Sequence, residues 1–240
     1  MTLEIGMLTF PGLNQLDLTG PFEVLHRVPD ARVHLLWKDT DPIRADSGLE
    51  LRPTMTLAAS PPLDVVFVPG GFGQWAVQTD EAVLAFLRDH GSRARYVTSV
   101  CTGALVLGAA GLLEGYEATT HWAYVDLLGA FGARHVRKRV VVDRNRVTGG
   151  GVTAGIDFGL RLLAEIAGET AAQMTQLGLE YDPQPPFAAG HPDVAGEALT
   201  TEVRRRLAAR IAREGMEPRL RSLRERAAAQ RTHLTFAVGK

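Results

Sequence analysis

Cys101 is the side chain in this sequence that is best placed for nucleophilic chemistry. It follows a short apolar run with β-branched residues (95–100, RYVTSV) and precedes an Ala/Leu/Gly-rich segment with helical spacing (102–110, TGALVLGAA). These patterns predict a buried strand and then a packed helix. A sharp strand-to-helix turn would push the Cys101 thiol out over the end of a sheet, as in a nucleophile elbow. Unpaired N–H groups at the helix start are expected to favour the thiolate.

A structural role for Cys101 is the alternative, because a lone cysteine after an apolar strand is commonly a small buried hydrophobe. It is the only cysteine among 240 residues, so no internal disulfide accounts for it. One free thiol agrees with a reducing compartment. The first residues carry no basic and apolar leader pattern, and no apolar run approaches the length of a membrane span. We therefore expect a cytoplasmic location and no contact with a membrane.

Asp17 is the second residue that could do chemistry. The sequence predicts a strand over residues 3–10. A helix is then expected to contain Pro21 in its first turn, with Thr19 or Gly20 as the cap. Asp17 would lie in the loop between them, at the carboxyl edge of a parallel sheet, where ligands bind. Its carboxylate could cap the helix or reach into a site, and the sequence leaves both open.

A glycine turn, Pro69-Gly70-Gly71, follows the predicted buried strand that starts at Asp64. Glycines at such a place let backbone N–H groups approach another group closely, although a plain tight turn would look the same. Neither the Walker pattern nor GxGxxG is present, so a phosphate cradle is not expected. The histidines fall in no metal-ligand spacing, and we predict no metal ion and no cofactor.

Strands and helices alternate along the first three quarters of the chain. Strands are predicted at 32–37, 139–143 and 146–148, an edge hairpin within 42–60, and helices at 80–90, 153–166 and 170–181. A short extended piece after Ala118 is expected to feed a helix capped by Thr120. This alternation with short connections predicts an α/β fold: a doubly wound, mostly parallel sheet in an α/β/α sandwich.

The last part of the chain has a different composition. We expect a catalytic α/β domain over 1–182, then a Pro/Gly-rich loop and a basic helical extension over 183–240 that packs on or near it. Arginines and glutamates alternate within 196–230, which favours a solvated pair of amphipathic helices over a DNA-binding element. The whole chain is 45% hydrophobic with a net charge of −1. This balance gives no global reason to expect a nucleic-acid or membrane partner.

Four motifs together resemble the ThiJ/PfpI superfamily, which is related to the class I glutamine amidotransferases and has a flavodoxin-like fold. They are 17–24 (DLTGPFEV), 68–71 (VPGG), 99–104 (SVCTGA) and 118–122 (ATTHW), and with 148–157 they span residues 3 to about 180. Isocyanide hydratases and a group of transcription regulators share these motifs. The chain is more similar to the hydratases in its length and in Asp17, and the regulators' paired helix-turn-helix units would need more residues than follow the α/β domain.

The resemblance implies a lyase that converts an isocyanide and water into an N-substituted formamide. Cys101 would add to the isocyanide carbon, and Asp17 would protonate that carbon and later activate water. One carboxyl group can act as acid and then base if a desolvated site raises its pKa towards neutrality. The resemblance also implies a homodimer with the active site close to the subunit interface.

Backbone N–H groups of Thr102 and Gly71, with Gly70 beside them, are candidate donors to developing negative charge or to substrate. The Thr102 hydroxyl is expected to cap its helix. His121 could form a Cys-His pair, but in the hydratases the carboxylate carries the proton, so His121 is expected to be peripheral. Two alternatives stay open: another superfamily activity of the glyoxalase, deglycase or amidase type, and a ligand-sensing or redox-sensing domain of a regulator.

Overall fold

A seven-stranded sheet forms the centre of the molecule. The computed structural model describes residues 2–238, with side chains as far as residue 230. The strands are β1 (Leu3–Leu8), β2 (Ala31–Trp37), β3 (Ile43–Arg44), β4 (Glu50–Leu51), β5 (Met55–Thr56), β6 (Val65–Val68), β7 (Tyr96–Val100), β8 (Glu117–Ala118), β9 (Arg134–His135), β10 (Val140–Asp143) and β11 (Arg146–Gly149). The main sheet has the order β10-β11-β7-β6-β1-β2-β5.

The helices connect these strands and cover the sheet. They are α1 (Gln15–Leu25), α2 (Gln74–Val77), α3 (Glu81–Arg93), α4 (Gly103–Ala109), α5 (Ala154–Ala167), α6 (Glu169–Gly178), α7 (Pro192–Ala195), α8 (Glu197–Arg213) and α9 (Glu217–Val238), with 3₁₀ helices at Leu57–Ala59 and Trp122–Phe131. Within residues 2–238, no helix has both the length and the apolar character needed to cross a membrane.

All strand pairs of the main sheet are parallel except β10 with β11. The four central strands, β1, β6, β7 and β11, are almost entirely buried, as strands covered on both faces are. Helix α1 packs on α5 and α5 on α6, whereas α4 contacts α2, α3 and the 3₁₀ helix Trp122–Phe131. The predicted α/β sandwich with a mostly parallel sheet is confirmed.

Helix α1 begins six residues before Pro21, so the predicted start and the loop position of Asp17 were wrong. Asn14 is the N-cap, and its side chain accepts a hydrogen bond from the N–H of Leu16 at 3.2 Å. Pro21 lies inside the helix instead of in its first turn. Asp17 therefore belongs to the first helical turn, and its side chain is completely buried.

Two local predictions also need correction. The hairpin formed by β3 and β4 is a separate two-stranded sheet, and β5 forms the edge of the main sheet beside β2. His121, not Thr120, caps the 3₁₀ helix, because its Nδ1 accepts the N–H of Ala123 at 3.3 Å.

The C-terminal extension packs on the preceding chain through α9. Leu223 and Ala227 of this helix are buried, and Arg224 pairs with Asp126 of the 3₁₀ helix at 2.8 Å. Gly215 has a φ of +69° and separates α8 from α9. The helical prediction for 196–230 agrees with this arrangement, while the domain boundary at residue 182 stays a prediction.

Gly103 allows α4 to start directly against the sheet, which suggests a test of this packing. A Cβ there would lie 2.1 Å from the carbonyl oxygen of Val68 and 2.8 Å from that of Pro69. We expect Gly103→Ala to lower the free energy of unfolding by about 2–3 kcal/mol, because backbone atoms must move to make room. Urea titration followed by circular dichroism measures this change.

Gly178→Ala is the matched control, because a Cβ at this end of α6 meets no atom within 4 Å. It should leave the free energy of unfolding unchanged or raise it by roughly 0.5 kcal/mol, as expected for alanine in a helix. Equal losses in both variants would contradict the packing argument.

Candidate active site

Cys101 occupies a strained turn between β7 and α4, as the strand-helix pattern predicted. Its φ of +56° lies in the left-handed region, which costs a residue with a Cβ about 1–2 kcal/mol. Backbone bonds hold it there: its N–H donates to the carbonyls of Gly149 (3.1 Å) and Gly150 (2.8 Å), and its carbonyl accepts from Thr120 Oγ1 at 2.7 Å. Strain that the surroundings hold in this way is common at functional sites.

Two hydrogen bonds join the start of α1, which carries Asp17, to Gly70 beside this turn. The N–H of Asn14 donates to the carbonyl of Gly70 at 2.9 Å, and the N–H of Gly70 donates back to Asp17 Oδ2 at 3.0 Å. The first turn of α1 is therefore fixed against the loop after β6. This loop neighbours β7, because β6 and β7 are paired in the sheet.

Gly70 sits where the two reactive side chains meet. A Cβ on it would lie 2.7 Å from Asp17 Oδ2, 2.8 Å from Cys101 Cβ and 2.6 Å from the backbone nitrogen of Thr102. All three atoms therefore lie within 3 Å of one position beside the Gly70 Cα. The predicted proximity of Asp17 and Cys101 is present, and only glycine fits between them.

The carboxyl group of Asp17 is deprived of water, and its pKa is raised to about 7. Burial causes the rise, while hydrogen bonds from the Cys101 side chain and the Gly70 N–H lower the pKa by a smaller amount. The Oδ1 atom of Asp17 is buried and, apart from the Cys101 thiol, has no hydrogen-bond partner among the described residues. A buried carboxyl oxygen left in this way calls for a functional explanation.

The pKa of the Cys101 thiol is raised well above its usual value, which corrects the expected thiolate. Burial is the main cause, and the negative charge of Asp17 adds to it. The N–H of Thr102 at the helix start does lower the pKa, as predicted, but its effect is smaller than that of burial. At rest the sulfur therefore keeps its proton, and Asp17 is the group beside it that can take this proton.

Thr102 and Gly71 bind each other. Thr102 lies at the cap position of α4, yet its side chain makes no capping bond, so that prediction was wrong. Its Oγ1 instead accepts the N–H of Gly71 at 3.1 Å. The N–H groups of Gly70 and Gly71 are thus both engaged, and donation to a reacting atom would require these bonds to open. Their role as donors stays a prediction.

His121 makes no hydrogen bond to Cys101 among the described contacts. Burial lowers its pKa to about 4, so the imidazole is neutral. Its Nδ1 is the capping acceptor for the N–H of Ala123, and the Cβ position of Gly151 is 3.1 Å from its Cδ2. The peripheral role expected for His121 stays a prediction.

Sequence reasoning missed Tyr124 and Trp75. The Tyr124 ring lies edge-on to Trp75 with centroids 6.2 Å apart and is 5.9 Å from the His121 ring. Burial raises the pKa of Tyr124 to about 12, so its hydroxyl stays protonated. Isolated aromatic residues on predicted helices carry no signal of this proximity.

Two cavities are present in the part of the chain that the structure describes, and Cys101 lines neither of them. One of about 720 Å³ is lined by Thr120, His121 and Gly150 among others. The second, about 590 Å³, is lined by Phe72, Trp75 and residues of the C-terminal extension. Within residues 2–230, no group of three or more His, Cys, Asp or Glu side chains could hold a metal ion. The side chains that meet here can act as a nucleophile and an acid–base catalyst.

Comparison with known proteins agrees with this geometry. The chain is 56% identical over 208 residues to the isonitrile hydratase of Pseudomonas putida, covering 87% of this chain and 91% of that enzyme. It is 34% identical over 183 residues to an HTH-type transcriptional regulator, GbdR, of Pseudomonas aeruginosa, covering 72% of this chain and 50% of the regulator.

A crystal structure of a ThiJ/PfpI family protein from Pseudomonas syringae has the same fold. It superposes with a TM-score of 0.83 at 43% identity, covering 96% of this chain and 90% of that one. The model of the DJ-1/PfpI family matches residues 4–165, most of the α/β part of the chain. The resemblance seen in the motifs is therefore confirmed, and the protein belongs to the DJ-1/PfpI family.

Proposed function

We propose that the protein is an isocyanide hydratase, a lyase that adds water to an isocyanide and releases an N-substituted formamide. The observation that carries the proposal is the buried pair of Asp17 and Cys101, a carboxyl group with a pKa of about 7 beside a protonated thiol. The identity with an isonitrile hydratase over 91% of that enzyme supports the same reaction.

The first half of the reaction forms a covalent thioimidate. The Asp17 carboxylate takes the thiol proton, and the Cys101 sulfur adds to the terminal isocyanide carbon, which bears an electron pair and accepts a soft nucleophile. The resulting carbanion takes the proton back from Asp17. A new S–C bond and a new C–H bond replace the S–H bond, and Asp17 is again ionised.

The second half consumes water. Asp17 removes a proton from a water molecule, whose oxygen attacks the thioimidate carbon, and the proton is passed to the isocyanide nitrogen. The tetrahedral intermediate then expels sulfur as the C=O bond forms, and the hydroxyl proton returns to Cys101 through Asp17. The products are the formamide and the free thiol. A pKa near 7 suits a group that must both give and accept a proton at neutral pH.

We also propose that the enzyme is a cytoplasmic homodimer, as the resemblance implies. Light scattering coupled to gel filtration tests the dimer: a mass near 52 kDa, twice the 26.0 kDa of one chain, supports it, and the monomer mass contradicts it.

The first test of the mechanism is loss of the two reactive groups. Cys101→Ala should abolish formamide production from cyclohexyl isocyanide, because no S–C bond can form. Asp17→Asn should lose at least about 10²-fold in kcat, because an amide cannot carry the proton. Loss of isocyanide absorbance and formamide appearance are followed together. Turnover retained by Cys101→Ala would rule out the covalent route.

The second test is the pH dependence of the wild-type enzyme. Asp17 must be ionised to accept the thiol proton, so kcat/KM should rise with pH through about 7 and then level off. Asp17→Asn should lack this rise in its residual activity. A flat wild-type profile between pH 5 and 9 would contradict the role of Asp17 as the base.

The third test separates folding from catalysis. The pKa of Asp17 is about 7 in the folded protein against an ordinary value of 3.8, so the folded state binds more protons between these values. Its contribution to stability is therefore fully present below pH 4 and lost as pH rises to 7, by at most about 4 kcal/mol.

Asp17→Asn removes the titrating carboxyl group and with it the loss of stability at rising pH. The difference in the free energy of unfolding between the variant and the wild type should therefore be more favourable to the variant at pH 8 than at pH 5. Urea unfolding at both pH values measures the gain. Asp182→Asn is the control, because this exposed aspartate makes no described side-chain contact and its replacement should change stability equally at both values. A gain of the same size in the control would refute the assignment.

A further inference from the structure

The lining of the cavity of about 720 Å³ includes residues in direct contact with the backbone of Cys101. Two residues of its wall bind the nucleophile residue: Gly150 accepts the Cys101 N–H at 2.8 Å, and Thr120 donates to the Cys101 carbonyl at 2.7 Å. A molecule in this cavity would therefore lie against the turn that carries the thiol. The volume is in the range that holds drug-sized ligands, well above what a short alkyl isocyanide fills.

Positive charge predominates in the lining of this cavity. Four cationic side chains and one carboxylate line it: Arg137, Lys138, Arg139, Arg204 and Asp193. Arg137 pairs with Asp193, and Arg139 binds Asp157 at 2.7 Å. Lys138 and Arg204 form no ion pair with any described residue. Two cations are thus available to an incoming anion.

Apolar side chains form the rest of the wall, and they come from both parts of the chain. Trp122, Val125 and Val152 belong to the α/β part, and Val194 belongs to α7 of the extension. The guanidinium of Arg204, on α8, lies 5.7 Å from the centre of the Trp122 ring. The extension therefore forms part of the cavity wall and supplies one of its two unpaired cations.

His121 adds a neutral donor to the same wall. Its Nδ1 accepts the Ala123 N–H, so the proton of the neutral ring is on Nε2. Nε2 has no hydrogen-bond partner among the described residues. A hydrogen-bond acceptor in the cavity could use it.

We propose that this cavity binds the body of the substrate and that the natural substrate is an isocyanide with an apolar body and a carboxylate end. The isocyanide carbon would reach Cys101, the apolar body would lie along Trp122, and the carboxylate would contact Arg204 and Lys138. This assignment rests on the proposed function, because it names the substrate class of the same site.

A matched pair of substrates tests the assignment: 4-isocyanobenzoate and its methyl ester, which share the aromatic body and differ in charge. At low ionic strength the wild-type kcat/KM should be about tenfold higher for the acid, because two unpaired cations attract the carboxylate. Arg204→Gln and Lys138→Gln should each remove most of this preference, and Arg204→Lys should retain it.

Arg213→Gln is the control for net charge, since Arg213 lies on the same helix, outside the cavity and without a described ion pair. It should keep the preference for the acid. Equal kcat/KM values for acid and ester in the wild type would overturn the proposal, as would an equal loss of preference in Arg213→Gln and Arg204→Gln.

Calorimetric binding to the Cys101→Ala variant separates this proposal from the proposed function. Tighter binding of the acid than of the ester, weakened by Arg204→Gln, supports the carboxylate site without any turnover. Failure of the wild type to hydrate both cyclohexyl isocyanide and 4-isocyanobenzoate, with that binding intact, would overturn the function and leave the binding site standing. No difference in binding between acid and ester would overturn the site itself.

Discussion

The burial of one carboxyl group beside one thiol sets the chemistry of this protein. In water Asp17 would be ionised at neutral pH, and its charge would be hydrated at no cost to the fold. In the interior its pKa rises to about 7, while burial and, to a smaller extent, the negative charge of Asp17 raise the pKa of the Cys101 thiol. The pair therefore stores one transferable proton at neutral pH. A reaction that needs a sulfur nucleophile and the return of a proton to carbon matches this state.

The fold stabilises this pair through backbone groups, which do not titrate and move little. Gly70 donates to Asp17, and Gly149, Gly150 and the Thr120 hydroxyl hold the turn of Cys101. Gly70 follows β6, and Gly149 and Gly150 lie at the end of β11; these two strands lie on either side of β7. The carboxyl ends of parallel strands lie at one edge, so segments distant in sequence meet there. The strained φ of Cys101 is the local cost of this arrangement.

The C-terminal extension contributes side chains to the two cavities described above. Arg204 lies over Trp122 in one cavity, and Arg210 lies over Phe72 in the other, 3.7 Å from the ring centre. Both aromatic residues come directly after loops that contact the turn. Helix α8 therefore contributes one arginine to each of the two cavities. The composition of the tail predicted helices but not this position.

Local patterns in the sequence were sufficient for the alternation of strands and helices and for the turn at Cys101, because these follow from hydrophobic periodicity. The meeting of Cys101 with Asp17 was expected from the resemblance to the family, since the local pattern left the role of Asp17 open. The start of α1 was not predictable, since Asn14 caps it while bound to Gly70, 56 residues away. The sign of the Cys101 pKa shift was also decided by tertiary structure. The helix start favours the thiolate locally, but desolvation by the surrounding chain is the larger effect, and only the assembled core determines how much water each group loses.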